Sequence, residues 1–185
     1  MEAFLVSAGL VAIAEIGDKT QLLAMLLATR YRKPVPIILG ILVATLANHA
    51  IAASVGAAVA AWLGPNAMRW IVGVLFIVMA GWALIPDKED EGPKASSHVG
   101  AFLATTIAFF LVEIGDKTQI ATVALAARFH DIAIVTAGTT VGMMLANVPA
   151  VLGGDLLARK IPLKLVRICA AASFVVLGAA VLLWG

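Results

Sequence analysis

The chain has 185 residues, of which 62% are hydrophobic and 13% are charged, and its formal net charge is +2. A soluble domain carries about half apolar and about a quarter charged residues, so the composition excludes an ordinary soluble protein and indicates a membrane protein in contact with the lipid bilayer. The small net charge gives no reason to expect a nucleic-acid partner. The single cysteine, Cys169, excludes an internal disulfide and a paired-cysteine metal site.

Six long apolar blocks follow one another along the chain. Each is long enough to cross a bilayer as a helix, because a span needs roughly 20 apolar residues. Continuous blocks of this length favour helices over a β-barrel, whose strands are about ten residues long and alternate in polarity. We therefore predict an all-α integral membrane protein with six transmembrane helices, at 3–28, 35–62, 67–86, 99–127, 132–158 and 163–184.

The first block contains the heptapeptide EIGDKTQ at 15–21, and the fourth block repeats it letter for letter at 113–119, 98 positions later. Matches at the same spacing extend well beyond the motif: Phe4 with Phe102, Ala28 with Ala126, Gly40 with Gly138, and Arg69 with Arg167. The chain is therefore predicted to be an internal duplication.

The duplication sets the predicted topology. Each half holds three spans, an odd number, so the second half must enter the membrane from the opposite side. We predict two inverted three-helix repeats, at 1–86 and 99–185, joined by an acidic cytoplasmic linker at 87–98 into one transport domain. Inverted repeats are typical of secondary transporters, whose binding site lies near mid-membrane between the repeats.

Basic residues indicate the orientation. Two of them, Arg69 and Arg128, fall on the side that holds both termini. Nine fall on the other side: Arg30, Arg32, Lys33, Lys88, Lys94, Arg159, Lys160, Lys164 and Arg167. The positive-inside rule places the richer side in the cytoplasm. Both termini are therefore predicted to lie outside.

The acids of the motif suit a metal site. Glu15 and Asp18 lie near the middle of the first predicted span, and Glu113 and Asp116 near the middle of the fourth. On a continuous helix residues three apart share a face, so each motif would present an arc of oxygen atoms, extended by Gln21 and Gln119. Carboxylate and amide oxygens suit hard cations such as Ca²⁺, Mn²⁺ or Mg²⁺.

The charge balance suggests what the site exchanges. Four acids and two lysines give the motifs a formal charge of −2, and a carboxylate at the bilayer centre costs at least about 2.5 kcal/mol. One divalent cation or two protons would cancel that charge, as a cation/proton antiporter requires. Lys19 and Lys117 follow Glu15 and Glu113 by four positions, so we expect each lysine to pair with the glutamate of its own helix without binding metal.

Four further residues have two readings each. Gly17 and Gly115 either break their helices, which would expose backbone carbonyls as ligands, or allow close helix packing. Asn48 and Asn147 fall in the middle of the second and fifth spans. They either complete the metal site or hydrogen-bond between helices.

The sequence resembles the Glu-x-Gly-Asp-Lys/Arg-Thr/Ser family, which includes Golgi calcium/manganese–proton exchangers and bacterial manganese exporters. Both motif copies, at 15–20 and 113–118, match it, and the resemblance covers essentially the whole chain. The resemblance implies a cation site at Glu15, Asp18, Glu113 and Asp116, with Thr20, Gln21, Thr118 and Gln119 close by. Organellar members often carry an N-terminal targeting segment and none precedes the first span here, so we expect a multi-pass protein of the bacterial inner membrane.

The expected function is exchange of a divalent cation, Mn²⁺ first and Ca²⁺ second, for protons, with Mn²⁺ exported. The cation is a substrate, and no cofactor is expected. The sequence alone leaves open whether protons or Na⁺ supply the counter-flux, and whether the protein is a monomer or a homodimer. An exporter of small metabolites would need an aromatic or aliphatic pocket, whereas only Phe109 and Phe110 lie near a motif. A scaffold would use the motifs for helix packing alone, and an enzyme is not expected because HExxH and Ser-His-Asp patterns are absent.

Overall fold

The computed structural model describes residues 1–85, 100–153 and 163–184. All regular secondary structure in these ranges is helical, which confirms the predicted all-α class. The seven helices of the described ranges are α1 Glu2–Glu15, α2 Lys19–Tyr31, α3 Pro34–Ala83, α4 Ala101–Glu113, α5 Lys117–Phe129, α6 Ile132–Gly153 and α7 Leu163–Trp184. By length and composition α3, α6 and α7 are able to cross a membrane, and α4 is a shorter apolar helix. The predicted linker at 87–98 lies outside the described residues.

Helix α3 has two arms that meet at Gly64, whose φ of 76° and ψ of 168° are not helical. Glycine tolerates this positive φ, and Pro65 cannot donate the next hydrogen bond of a continuous helix. Contacts with α5 give the direction of the first arm, since Asn48 bonds Gln119 and Gly56 lies against Val123. Along the second arm Pro65 lines one cavity together with Arg128, and Ala83 lines another together with Lys117. The first arm runs parallel to α5 and the second runs back, as the separate predicted blocks 35–62 and 67–86 require.

Each of the predicted spans at 3–28 and 99–127 is built from two helices, so the structure decides between the two readings of Gly17 and Gly115. In the first half α1 ends at Glu15 and α2 begins at Lys19; in the second half α4 ends at Glu113 and α5 begins at Lys117. A glycine in each gap has a positive φ, 80° at Gly17 and 76° at Gly115. This conformation is accessible to glycine but strained for other residues, so the glycines break the two helices.

Two hydrophobic clusters lie on either side of these breaks. One cluster includes Leu10 of α1 and Leu125 of α5, and the other includes Leu27 of α2 and Phe109 of α4. Each broken helix therefore contributes one piece to each cluster. The polar motif falls where the chain passes from one cluster to the other, which is where its backbone leaves the helical conformation.

Close contacts between the halves are reciprocal. A Cβ atom on Gly40 would lie 2.8 Å from the carbonyl oxygen of Phe102, and one on Gly138 would lie 2.7 Å from that of Phe4. The two pairs occupy matching positions in the duplication. Glycine is therefore needed where α3 meets α4 and where α6 meets α1, and each half holds the first motif helix of the other.

Candidate metal centre

The four acids of the motifs lie at the two helix breaks. Glu15 and Glu113 are the last residues of α1 and α4, while Asp18 and Asp116 directly precede α2 and α5. The break closes in the same way in both halves: the N–H of the aspartate donates to the carbonyl of the glutamate, at 3.0 and 3.1 Å. All four side chains are buried. The predicted arcs along continuous helices are replaced by acids on either side of a break.

Three of these carboxylates converge. One oxygen each from Glu15, Glu113 and Asp116 lie within 4.8 Å of one another. Oxygen atoms that bind the same Ca²⁺ are at most about 5 Å apart, since each metal–oxygen distance is about 2.3–2.6 Å. The cluster therefore has the dimensions of a site for one cation, built from both halves of the chain.

Each converging carboxylate keeps one oxygen fixed and the other open. The hydroxyl of Thr20 donates to Glu15 Oε2 at 2.5 Å, and that of Thr118 donates to Glu113 Oε2 at 3.1 Å. Asp116 Oδ1 lies 2.8 Å from Lys19 Nζ. Among the described residues, the second oxygens of these three acids, Oε1, Oε1 and Oδ2, accept no hydrogen bond. Buried oxygens without a donor are costly, and a bound cation would satisfy them.

The lysines pair across the two halves. Lys19 contacts Asp116, and Lys117 Nζ lies 3.3 Å from Asp18 Oδ1. The expected pair of Lys19 with Glu15, four residues earlier, is wrong, because the helix on which that spacing relies ends at Glu15. The ion pair seen for Lys117 likewise joins it to the other half, where Glu113 was expected. These bonds between the halves connect the two breaks directly.

The side chains of the two glutamines reach back from α2 and α5 to the breaks. Gln21 Oε1 accepts the N–H of Gly17 at 2.9 Å, and Gln119 Oε1 accepts the N–H of Gly115 at 2.7 Å. The nitrogen of Gln21 donates to the carbonyl of Ala146 at 3.1 Å. Both amides were expected as metal ligands, and the structure places both beside the acids with their oxygens bonded to backbone.

The two asparagines have different surroundings. Asn48 Nδ2 donates to the carbonyl of Phe110 at 3.0 Å, and its Oδ1 accepts Gln119 Nε2 at 3.4 Å. Asn147 Nδ2 donates to the carbonyl of Met143 in its own helix at 3.1 Å. Asn147 Oδ1 is buried and accepts no hydrogen bond within the described ranges. Asn48 thus links helices, whereas Asn147 retains an open oxygen.

Sequence reasoning missed the partners that are backbone atoms or come from distant segments. The carbonyl of Ala146 accepts a hydrogen bond from Gln21, and that of Phe110 accepts one from Asn48. Leu163 at the start of α7 lies against Gly17. Every residue has a backbone carbonyl, so the sequence gives no signal that the carbonyls of Ala146 and Phe110 in particular would accept these hydrogen bonds. Leu163 was placed correctly at the start of a helix, but the motif gives no indication of which helix covers it.

The motif centre has a definite chemistry. Four buried carboxylates and two lysines give it a formal charge of −2, and its candidate ligands are oxygen atoms. Such ligands favour hard divalent cations. The same carboxylates are also the groups that would take up protons in the absence of a cation, because an uncompensated carboxylate is costly inside a membrane.

Comparisons with known proteins agree with this chemistry. The family model described as "Divalent cation/proton antiporter GDT1" matches residues 3–91 and 101–185. A protein of Vibrio cholerae named "Putative manganese exporter" is 55% identical over 97% of this chain and 90% of its own length. A GDT1-like protein of Synechocystis is 30% identical over 94% of this chain and 93% of its own length. "GDT1-like protein 5" of Arabidopsis thaliana is 27% identical over 96% and 94%. No solved structure matches the chain.

The family match covers both halves of the chain and includes both motif copies. The match therefore covers nearly the whole sequence, beyond the candidate site itself. The chain therefore belongs to the GDT1 family of transmembrane divalent cation/proton antiporters.

Proposed function

We propose that this protein exchanges Mn²⁺, or less readily Ca²⁺, for protons, and that the cation binds between the two helix breaks at Glu15, Asp18, Glu113 and Asp116. The observation that carries the proposal is the convergence of three buried carboxylates, each with one oxygen fixed and one open. The spacing of these carboxylates suits one divalent cation, which would also satisfy the open oxygens.

Proton coupling follows from the charge of the same group. Removing a divalent cation from the centre would leave a formal charge of −2 in a buried position. Two protons restore neutrality, and carboxylates this close together titrate as a coupled group. The cation and the protons would therefore compete for the same oxygens, and that competition couples their movements in opposite directions.

The topology we propose has six spans in two inverted repeats. Helices α1 and α2 form one broken span over 2–31, α4 and α5 form its counterpart over 101–129, and the arms of α3 with α6 and α7 supply the other four. The reciprocal glycine contacts of Gly40 and Gly138 support this arrangement. The breaks would then meet near mid-membrane, the expected place for a substrate site in inverted-repeat transporters.

Orientation and direction complete the proposal. The excess of basic residues supports an orientation with the start of α7 in the cytoplasm and both termini outside. We place the protein in the inner membrane of a bacterial cell, where entering protons would drive Mn²⁺ out. The name of the Vibrio cholerae relative, "Putative manganese exporter", favours Mn²⁺ and this direction.

The scaffold alternative is less well supported by the motif geometry. A motif that serves only for packing would satisfy its acids through ion pairs and hydrogen bonds. Glu15 Oε1, Glu113 Oε1 and Asp116 Oδ2 have no such partner in the described part of the chain. An exporter of small metabolites is also disfavoured, because the convergent groups are carboxylates with the spacing of a single-ion site.

Transport in liposomes tests the proposal. Purified protein is reconstituted with a pH dye inside, and Mn²⁺ or Ca²⁺ is added outside to wild type, Glu15→Gln and Asp116→Asn. We expect cation entry with loss of internal acid in wild type, a stronger response to Mn²⁺, and no response in either variant. Ser54→Ala is the matched control, because its exposed hydroxyl bonds only the carbonyl of Ala50 in its own helix.

Two outcomes would contradict the proposal. Cation uptake without proton movement in folded wild-type protein would exclude proton coupling, and a Na⁺ gradient would then be tried as the driving force. No cation uptake under either gradient would leave the motifs with a packing role.

A further inference from the structure

The glutamine that ends each motif makes the same local bond in both halves. Gln21 Oε1 accepts the N–H of Gly17 at 2.9 Å, and Gln119 Oε1 accepts the N–H of Gly115 at 2.7 Å. Each glycine stands in the break with a positive φ, so its N–H is not part of a helical ladder. The side-chain oxygen supplies the acceptor that the broken helix lacks.

The other end of each amide reaches the opposite half of the chain. Gln21 Nε2 donates to the carbonyl of Ala146 in α6 at 3.1 Å, and Gln119 Nε2 reaches Asn48 Oδ1 in α3 at 3.4 Å. Ala146 directly precedes Asn147, which occupies the place in the second half that Asn48 has in the first. Both glutamines therefore extend from their own break to the corresponding region of the other half.

We propose that Gln21 and Gln119 are positioning residues: each amide fixes the break that carries its motif acids and ties it to the opposite repeat, while the carboxylates bind the cation. The inference rests on the proposed function for the identity of the cation site. The bonds that carry the inference join each glutamine to the glycine of its own break. They span the glycine that separates Glu15 from Asp18, and its counterpart between Glu113 and Asp116.

The geometry favours this role over direct ligation. Glu15 Oε1 and Glu113 Oε1 are oxygens without a donor in the described residues, as open ligands should be. The glutamine oxygens differ, because each is already bonded to a backbone N–H at the break. An amide with both ends engaged restrains its surroundings, and a positioned site binds a cation with less ordering cost.

Amide hydrogen exchange without any cation distinguishes the two roles, because a ligand has no effect when nothing is bound. Full-length protein in detergent with a chelator is compared as wild type, Gln21→Met and Gln21→Glu. We expect exchange at the Gly17 amide to be about tenfold faster in Gln21→Met, since one hydrogen bond is lost. Gln21→Glu keeps an oxygen acceptor and should restore protection at Gly17. Ser54→Ala should match wild type.

The second motif provides an internal control and an independent repeat. In Gln21→Met the Gly115 amide should exchange as in wild type, and Gln119→Met should accelerate Gly115 in the same way. If Gln21→Met does not fold, the same exchange measurement at Gly115 in Gln119→Met and Gln119→Glu tests the proposal.

Unchanged exchange at Gly17 and Gly115 in folded methionine variants would overturn the positioning role, and a raised KM for Mn²⁺ in those variants would then identify the amides as ligands. Failure of wild-type transport in liposomes is a separate result. It would contradict the proposed function and leave the exchange measurement intact.

Discussion

The two copies of the heptapeptide have the same letters and the same local geometry, but their surroundings differ. The Lys19 side chain is 28% exposed and that of Lys117 only 8%. A Cβ atom on Gly17 would meet Leu163, whereas one on Gly115 would meet no atom of the described residues within 4 Å. The seven letters therefore determine the break, and the helices around each copy determine how far it is enclosed.

If the two halves form the proposed inverted repeat, the different enclosure of the two motifs is explained by the way such transporters work. In such transporters the site stays in place while one repeat or bundle rocks against the other. A single state therefore shows the two motifs in unequal environments, even when their sequences are identical. The different partners of the glutamines, a backbone carbonyl for Gln21 and Asn48 for Gln119, belong to the same inequality. Substitutions at matching positions of the two motifs therefore distinguish effects of the motif itself from effects of the helices around it.

The largest effect is expected at the acids, where the two copies should behave alike. Glu15→Gln and Glu113→Gln each remove one charge and one ligand oxygen from the same buried cluster. Loss of a residue that only orients a metal ligand costs about 10–100-fold in affinity, so loss of a ligand should lower Mn²⁺-driven proton flux by at least about 100-fold. Flux in liposomes measures this. A clearly smaller loss in one variant would mean that the cation site belongs mainly to one copy.

The lysines should give unequal effects on stability. Removing one partner of a buried ion pair costs about 3–5 kcal/mol, whereas an exposed pair contributes about 0–1 kcal/mol. Lys117→Met leaves Asp18 in a buried place, so it should lower the free energy of unfolding by several kcal/mol. Lys19→Met should cost less, because water reaches Lys19. Denaturant titration in detergent measures both, with Lys117→Arg as the charge-preserving control. Equal losses would show that exposure of the lysine does not matter.

The glycines where helices cross should again give equal effects. Gly40→Ala and Gly138→Ala each push a methyl group against a carbonyl oxygen of the opposite half, that of Phe102 or Phe4. Backbone atoms cannot move aside as a side-chain end can, and overpacking typically costs about 1–3 kcal/mol. We expect similar losses in free energy of unfolding, measured by the same titration. Gly81→Ala is the control, since no atom of the described residues lies within 4 Å of its added methyl group.

Much of the fold was readable from the sequence because membrane spans have a strong compositional signal. The block at 163–184 coincides with α7, and the separator at Gly64 coincides with the turn inside α3. The four acids were identified as site residues because buried charge is rare in apolar segments. The structure places them together at the two breaks, and their role as ligands stays a prediction.

The helix breaks and the partners of the lysines and glutamines could not be predicted from the neighbouring sequence. Gly17 had two physical readings, and only the backbone of the folded chain distinguishes a break from close packing. The partner of Lys19 is Asp116, 97 positions away, so a rule for neighbours on one helix could not identify it. The glutamines looked like ligands because amide oxygens can bind cations. That an N–H of the break would need an acceptor became visible only with the break itself.

The smallest difference in free energy of unfolding is expected between substitutions of the two glycines at the breaks. It tests how closely the first motif is enclosed. Gly115→Ala forces alanine into a left-handed φ, which costs about 1–2 kcal/mol. Gly17→Ala bears the same strain and also brings its methyl group against Leu163. Because Leu163 meets it with the end of a flexible side chain, the additional loss should lie near the lower end of the cost of overpacking, at about 1 kcal/mol. Denaturant titration of the single variants and of Gly17→Ala combined with Leu163→Ala measures that difference.

In the combined variant the loss caused by Gly17→Ala, taken relative to Leu163→Ala alone, should fall to the value found for Gly115→Ala. That result would show that α7 accounts for the difference between the breaks, since the backbone strain is common to both. A loss that stays larger with Leu163 shortened would place the cause in the break itself. The identical letters of the two motifs would then not be enough to give them the same local energetics.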